Sequence, residues 1–196
     1  LMRAAYLRGI TVSEFYYPHP GGISEHIRCL SRELARRGHD VVVITGSMPP
    51  GGMEPGPRTV RLGRSVPLRY NAGLSRVTVG RRLGAALRRT LREERCDLLH
   101  VHNPLMPVLP LLALEAAESP VVATLHSGYP RDRLAELFRR PLQRRLERAS
   151  FLLPVSHAAW RAVEGIFDRP WRIVPNGVDA AFFAPDRIGS TGAPPT

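Results

Sequence analysis

Three imidazoles stand where apolar runs of the chain end. Leu98–Val101 carries His100 and runs on into His102, Asn103 and Pro104, and Val121–Leu125 delivers His126 and Ser127. A histidine with an unperturbed pKa near 6.5 can give or take a proton, or hydrogen-bond a sugar hydroxyl. Alternation with a period of two puts His100 and His102 on one strand face. Two imidazoles there could bind a metal, but no third ligand stands nearby in the sequence, so they read as hydrogen-bonded histidines and no metal is expected. Ser127 beside His126 lacks the G-x-S-x-G context of a hydrolase nucleophile. The glycine pair Gly21-Gly22 lies directly before an amphipathic stretch. Without side chains in the way, its backbone N–H groups and the positive end of a helix suit a phosphate; the alternative is a tight turn. The loop is neither G-x-G-x-x-G nor G-K-[ST], and the second apolar run ends at Thr45-Gly46 rather than at an acid. A nicotinamide dehydrogenase and a Walker-type nucleotidase are therefore disfavoured.

The second chemical feature is arginine. The chain carries 28 basic against 17 acidic side chains, a net charge of +11, with no lysine in the sequence. That bias reads as genome composition and weakens the inference to nucleic acid. Aromatic residues are 7% and no nucleic-acid-binding motif accompanies the charge, so no nucleic-acid partner is expected. Gly80–Arg95 reads as an amphipathic helix with Arg81, Arg82, Arg88, Arg89, Arg92 and Arg95 on one side and Leu83, Ala86, Leu87, Thr90 and Leu91 on the other. Either it is a solvated surface helix, or Arg81, Arg88, Arg89 and Arg92 face an anionic membrane, at about 1 kcal/mol each. A second basic cluster, Arg139, Arg140, Arg144, Arg145 and Arg148, flanks Pro141.

The elements that must position these groups alternate strand and helix. Strands are expected at Ile10–Glu14, Val41–Ile44, Thr59–Leu62, Leu98–Val101, Val121–Leu125, Phe151–Val155 and Arg172–Val174. Helices are expected at Ile23–Arg37, Gly80–Arg95, Met106–Ala117, Arg133–Ala149 with a break near Pro141, and His157–Phe167, capped by Ser156. Ser47–Pro57 is rich in Pro and Gly and reads as a loop, and Ser65–Val77 reads as irregular. This alternation predicts an α/β fold: a Rossmann-like parallel sheet with helices on both faces, ligands gathering at the C-terminal strand ends. The 196 residues suit one domain over residues 9–184, with an N-terminal extension over 1–8 and a linker or frayed tail over 185–196. Cys29 and Cys96 form no metal-type pair and point to a reducing, cytoplasmic setting. No apolar stretch is long enough to span a membrane, and Leu1–Arg8 is too short and charged for a secretory signal.

In order, VSEFYYPHPGGISEHIRCLSRELARRGHDVVVIT, CDLLHVHNPLMP, PVVATLHS and VSHAAWRAV…RIVPNGVD resemble the N-terminal domain of GT-B glycosyltransferases of family 4. A narrower resemblance, to the phosphatidylinositol mannosyltransferases, rests on VPLRYNAGLSRV at Val66–Val77, the basic helix after it, and LHVHNP followed by VVATLHS. The resemblance implies retaining transfer of a sugar from a nucleotide sugar, GDP-mannose in the narrower case, to an acceptor such as a phosphatidylinositol-like lipid. It implies no cofactor and no metal, and a location in the cytoplasm or peripheral at the inner membrane face. Gly21, Gly22, Asn176 and Gly177 then match positions lining the cleft near the donor diphosphate. Asp179 matches the segment leading into a second domain. His126 matches the catalytic histidine near the transferred sugar, and Asn71, Arg76 and Arg131 match positions that hold an inositol phosphate.

The chain departs from that pattern at Asn103, where the lipid enzymes carry an acid, and at Gly73, where a serine is expected. Arg131 replaces a lysine, keeping the charge and adding a bidentate grip. No paired-glutamate motif of a donor domain follows Asp179, so an isolated acceptor-binding half, inactive alone, is the expectation. The alternative is a non-catalytic Rossmann-like module that docks on anionic membrane or a partner protein.

Overall fold

A computed structural model describes residues 6–49, 56–70, 73–127, 139–161, 163–165, 167–178 and 180. Six strands form one all-parallel sheet: β1 (Arg8–Val12), β2 (Asp40–Gly46), β3 (Arg58–Leu62), β6 (Leu98–His102), β7 (Val121–Leu125) and β8 (Phe151–Pro154). Their spatial order is β3-β2-β1-β6-β7-β8. The chain winds outward from β1 to β3, then returns to the other side of β1 and winds outward again. The order therefore reverses between β1 and β6, which opens a crevice at their C-terminal ends.

Alternation along the strands assigns the two faces. Val43 packs with Ile27 and Tyr16 beside α1 (Gly22–Arg36). Ile44, Ile10, Leu99 and Val101 join the larger core under α2 (Leu83–Glu93) and α3 (Leu109–Ala116). The layers predicted from the sequence are thus present, with α1 on one face and α2 and α3 on the other. Two short helices, α4 (Arg139–Leu146) and α5 (His157–Arg161), complete the described elements, and Ser156 Oγ accepts the Ala159 N–H as the expected cap.

The structure corrects several expectations. Ser65–Val77 is not irregular: β4 (Arg64–Tyr70) and β5 (Gly73–Val79) form an antiparallel hairpin. Its arginines and Pro67 hide the alternation; the hairpin joins the sheet at the end of β2, where Ser65 N–H donates to Ser47 O at 2.7 Å. β1 ends at Val12, leaving Ser13 and Glu14 in the loop above it. α2 begins at Leu83, after Arg82 in a left-handed conformation (φ 56°), so Arg81 precedes the helix. α3 starts at Leu109, later than expected, and α5 ends at Arg161. Arg172–Val174 is not a strand; it runs beside β8 with hydrogen bonds from Arg172 and Val174 and one bridge, Leu152 to Trp171. The helix expected over Arg133–Ala149 and the loop over Ser47–Pro57 lie partly outside the described residues, and 185–196 lie wholly outside.

Gly63 turns the chain from β3 into the hairpin. Its φ of +58° is left-handed, and a Cβ there would meet the Val79 carbonyl oxygen at 2.5 Å. Gly63→Ala is expected to destabilise the chain by about 2 kcal/mol, read as a lower urea midpoint.

Candidate functional site

The crevice is walled by the loop after β1, the first turns of α1, and the ends of β6 and β7. On β6, Leu99 and Val101 point into the large core, so His100 and His102 point to the α1 side, as period two requires. His102 is 1% exposed. Its Nδ1 shares a hydrogen bond of 2.8 Å with His126 Nε2, just past the end of β7. His100 Nε2 lies 2.7 Å from Thr124 Oγ1 on β7. A fourth imidazole completes the cluster. His26, one turn into α1, sits with its ring centroid 5.0 Å from that of His126 and 5.6 Å from that of His102.

Because His26 lies four residues beyond Gly22 on the same helix, its contact with His126 places the glycine end of α1 and His126 on one side of the sheet. α1 starts without a side-chain cap, and both glycines are exposed, with nothing within 4 Å of where a Cβ would stand. Packing does not demand glycine there; its absence of side chain leaves the helix start open to a ligand. Glu25 in the first turn is held at about 2 by Arg28 and by the Tyr17 hydroxyl, which donates to it at 2.5 Å and ties the loop to the helix.

Burial lowers every imidazole of the cluster. It takes His126 to about 4 and His100 to about 3, each helped by neighbouring imidazoles, drives His102 well down, and lowers His26. At neutral pH the cluster is uncharged: hydrogen-bonding groups, not cations. Asn103, in a left-handed conformation (φ 48°), accepts the His126 backbone N–H through Oδ1 at 2.9 Å. Asn103 thus does positional work where the resemblance anticipated an acid.

Glu14 binds the hairpin to this framework. It is 2% exposed. Its Oε1 accepts the N–H groups of Val108 and Leu109 at 2.7 Å each, supplying the cap that α3 lacks, and its Oε2 accepts the Thr78 hydroxyl of β5 at 2.6 Å. On β5, Arg76 donates from Nε to Ser65 Oγ at 2.9 Å and from Nη2 to Ser65 O at 3.0 Å. Burial, and secondarily the Arg76 charge, lowers the loop histidine His19. Neither His19 nor His26 was singled out by the sequence. Their one signal was a place flanking the glycine pair.

Asn176 and Gly177 are exposed. Gly177 and Val178 run past the flank of α1 and line a groove of about 720 Å³ with His26, Leu30 and Arg32. Asn71, Arg131 and Asp179 lie outside the described residues.

The sequence model of Glycosyltransferase Family 4 matches residues 20–182. Phosphatidyl-myo-inositol mannosyltransferases from Mycolicibacterium smegmatis and Mycobacterium tuberculosis are 31% and 30% identical over 173 residues, 88% of this chain. The chain spans less than half of those relatives, 44% and 45% of their length. Among solved structures, Anabaena HepE in complex with UDP-glucose shares the fold with a TM-score of 0.64 at 16% identity, covering 93% of this chain and 48% of that one. Sucrose-phosphate synthase from Thermosynechococcus elongatus does so with a TM-score of 0.61 at 17% identity, covering 89% and 49%.

Proposed function

The chain belongs to Glycosyltransferase Family 4, and on that premise we propose that it is the acceptor-side half of a retaining sugar transferase acting on a phosphoinositide headgroup. The observation that carries this reading is that the open glycine start of α1 and His126 meet at the reversal point of one parallel sheet, with the hairpin that carries Arg76 joined to the same framework through Glu14. In this reading Gly21 and Gly22 approach the donor diphosphate, with Asn176 and Gly177 leading out of the same crevice. His126, neutral and fixed by Asn103 and His102, stabilises charge developing at the transferred sugar. Arg76, with Asn71 and Arg131, holds the acceptor phosphate. The donor is a nucleotide sugar, GDP-mannose by likeness to the mannosyltransferases. Its nucleotide is held by residues outside this chain, and no cofactor takes part. Transfer then needs both halves together, so these 196 residues bind acceptor without transferring sugar.

Calorimetry with myo-inositol 1-phosphate tests the acceptor assignment. Saturable binding is expected, weakened about tenfold or more by Arg76→Ala, since a charge-assisted phosphate contact is worth about 1.5–3 kcal/mol. Absence of binding, or indifference to that substitution, overturns the assignment.

A lipid acceptor calls for a surface on which the protein meets it. No helix among the described residues is long and apolar enough to cross a membrane. We assign peripheral contact to the exposed side of α2. Arg92 is paired to Glu118 at 2.5 Å and Arg89 lies 3.7 Å from Glu93. Arg88, Arg92 and Arg95 line a cleft of about 390 Å³, and Arg81 is exposed just before the helix. Reversing Arg88, Arg89 and Arg92 to Glu is expected to abolish flotation with anionic liposomes, a loss of roughly 3 kcal/mol or more. Unchanged flotation favours the solvated-surface reading.

A further inference from the structure

We infer that His26, His102 and His126 form a binding site for a borderline divalent transition ion, Zn²⁺ above all. One ligand nitrogen from each can be chosen so that all lie within 4.8 Å of one another. The ring centroids stand 5.0, 5.1 and 5.6 Å apart. An ion with Zn–N bonds of about 2.0–2.1 Å in tetrahedral geometry places its ligand nitrogens about 3.3 Å apart and its ring centroids about 5 Å apart. The rings already stand at that spacing, so binding asks for ring rotation rather than backbone movement. The three ligands come from α1, β6 and the residue after β7, elements locked together by the sheet and core, which is what holds a site to its geometry.

His102 Nδ1 and His126 Nε2 already face each other at 2.8 Å. An ion placed between the two rings would replace that bond and recruit His26 as well. Three imidazoles without carboxylate suit zinc over magnesium or calcium, which take oxygen ligands. The fourth position faces the crevice, where His26 and His126 are only half-buried, and is open to water or an anion.

The site stands on geometry alone. Its consequence rests on the transferase reading: an ion held by His126 occupies the space proposed for the transferred sugar, so occupancy inhibits transfer rather than assisting it.

The test titrates the 196-residue chain with Zn²⁺ by calorimetry and with Co²⁺ by visible absorption. One ion per chain, a tetrahedral Co²⁺ spectrum and no heat from Mg²⁺ are expected. His26→Ala should weaken binding by about 100-fold or more, since loss of an outer-shell partner alone costs 10–100-fold. His26 is only half-buried and its loss removes no apolar core side chain, and far-UV circular dichroism checks that the variant keeps the fold; His126→Ala supplies the second ligand deletion. No saturable binding, an octahedral Co²⁺ spectrum, or a site indifferent to both substitutions overturns the inference. The readout is ion binding, so its failure leaves the acceptor assignment untouched, and failure of inositol phosphate binding leaves the zinc result standing.

Discussion

Lowering the pH from 7 to 5 is expected to remove on the order of 4 kcal/mol of folding stability, measured by urea midpoints with a chelator present so that the imidazoles titrate freely. The folded pKa values of His26, His100, His102 and His126 all lie below the unfolded value near 6.5. Between those limits the unfolded chain binds more protons than the folded one, so stability rises with pH. It is complete above about pH 6.5 and is lost as pH falls toward the folded values, about 4 for His126 and about 3 for His100. Four fully shifted groups would contribute about 2 kcal/mol each over this window. Partial exposure of His26, His100 and His126 and their mutual coupling reduce the sum. The interval from pH 7 to 5 stays above the range where carboxylates with ordinary or lowered values protonate, which leaves Glu14, raised by burial, as the carboxyl that opposes the histidine trend. A midpoint that holds level down to pH 5 would show that the cluster is charged or solvated in the folded state.

Glu14→Ala is expected to cost about 3 kcal/mol or more, and Glu14→Gln about 1 kcal/mol or less. Alanine strands the buried Leu109 N–H, the half-buried Val108 N–H and the buried Thr78 hydroxyl, which Glu14 now satisfies. Glutamine keeps an oxygen for the helix and a polar group facing Thr78. The carboxyl also titrates against the histidines. Burial raises its pKa despite the Thr78, Leu109 and Val108 hydrogen bonds. Its stabilisation is therefore present below the unfolded value near 4.5 and falls as pH rises through the folded one, the reverse of the imidazole trend. Equal losses for the two substitutions would mean that volume rather than hydrogen bonding sets the cost.

The sheet was legible because its strands are buried on both faces. Val41–Ile44 reads as a continuous apolar run and Val121–Leu125 as a strand; β2 extends the first by three residues and β7 has the bounds of the second. α1 was equally clear, since one face buries Ile27 against the sheet while the other carries arginines. The hairpin was not. Among the residues of β4 and β5 whose burial is described, only Ser65, Val77 and Thr78 are buried, so no alternation of hydrophobicity announces these strands, and the structure makes strands of them through their mutual pairing.

The sequence by itself determined the parallel α/β order, the place of the glycine pair before α1, and the positions of His100, His102 and His126 at strand ends. Each follows from local patterning: apolar runs, helical periodicity and the alternation of a strand. Only the tertiary structure decided what these groups touch. His26 meets His102 and His126 across 76 and 100 residues of chain, and Glu14 caps a helix 94 residues away, as the sequence positions show. No periodicity encodes such pairs. They exist because the order of strands reverses beside β1, and that reversal brings the ends of β1, β6 and β7 to the start of α1.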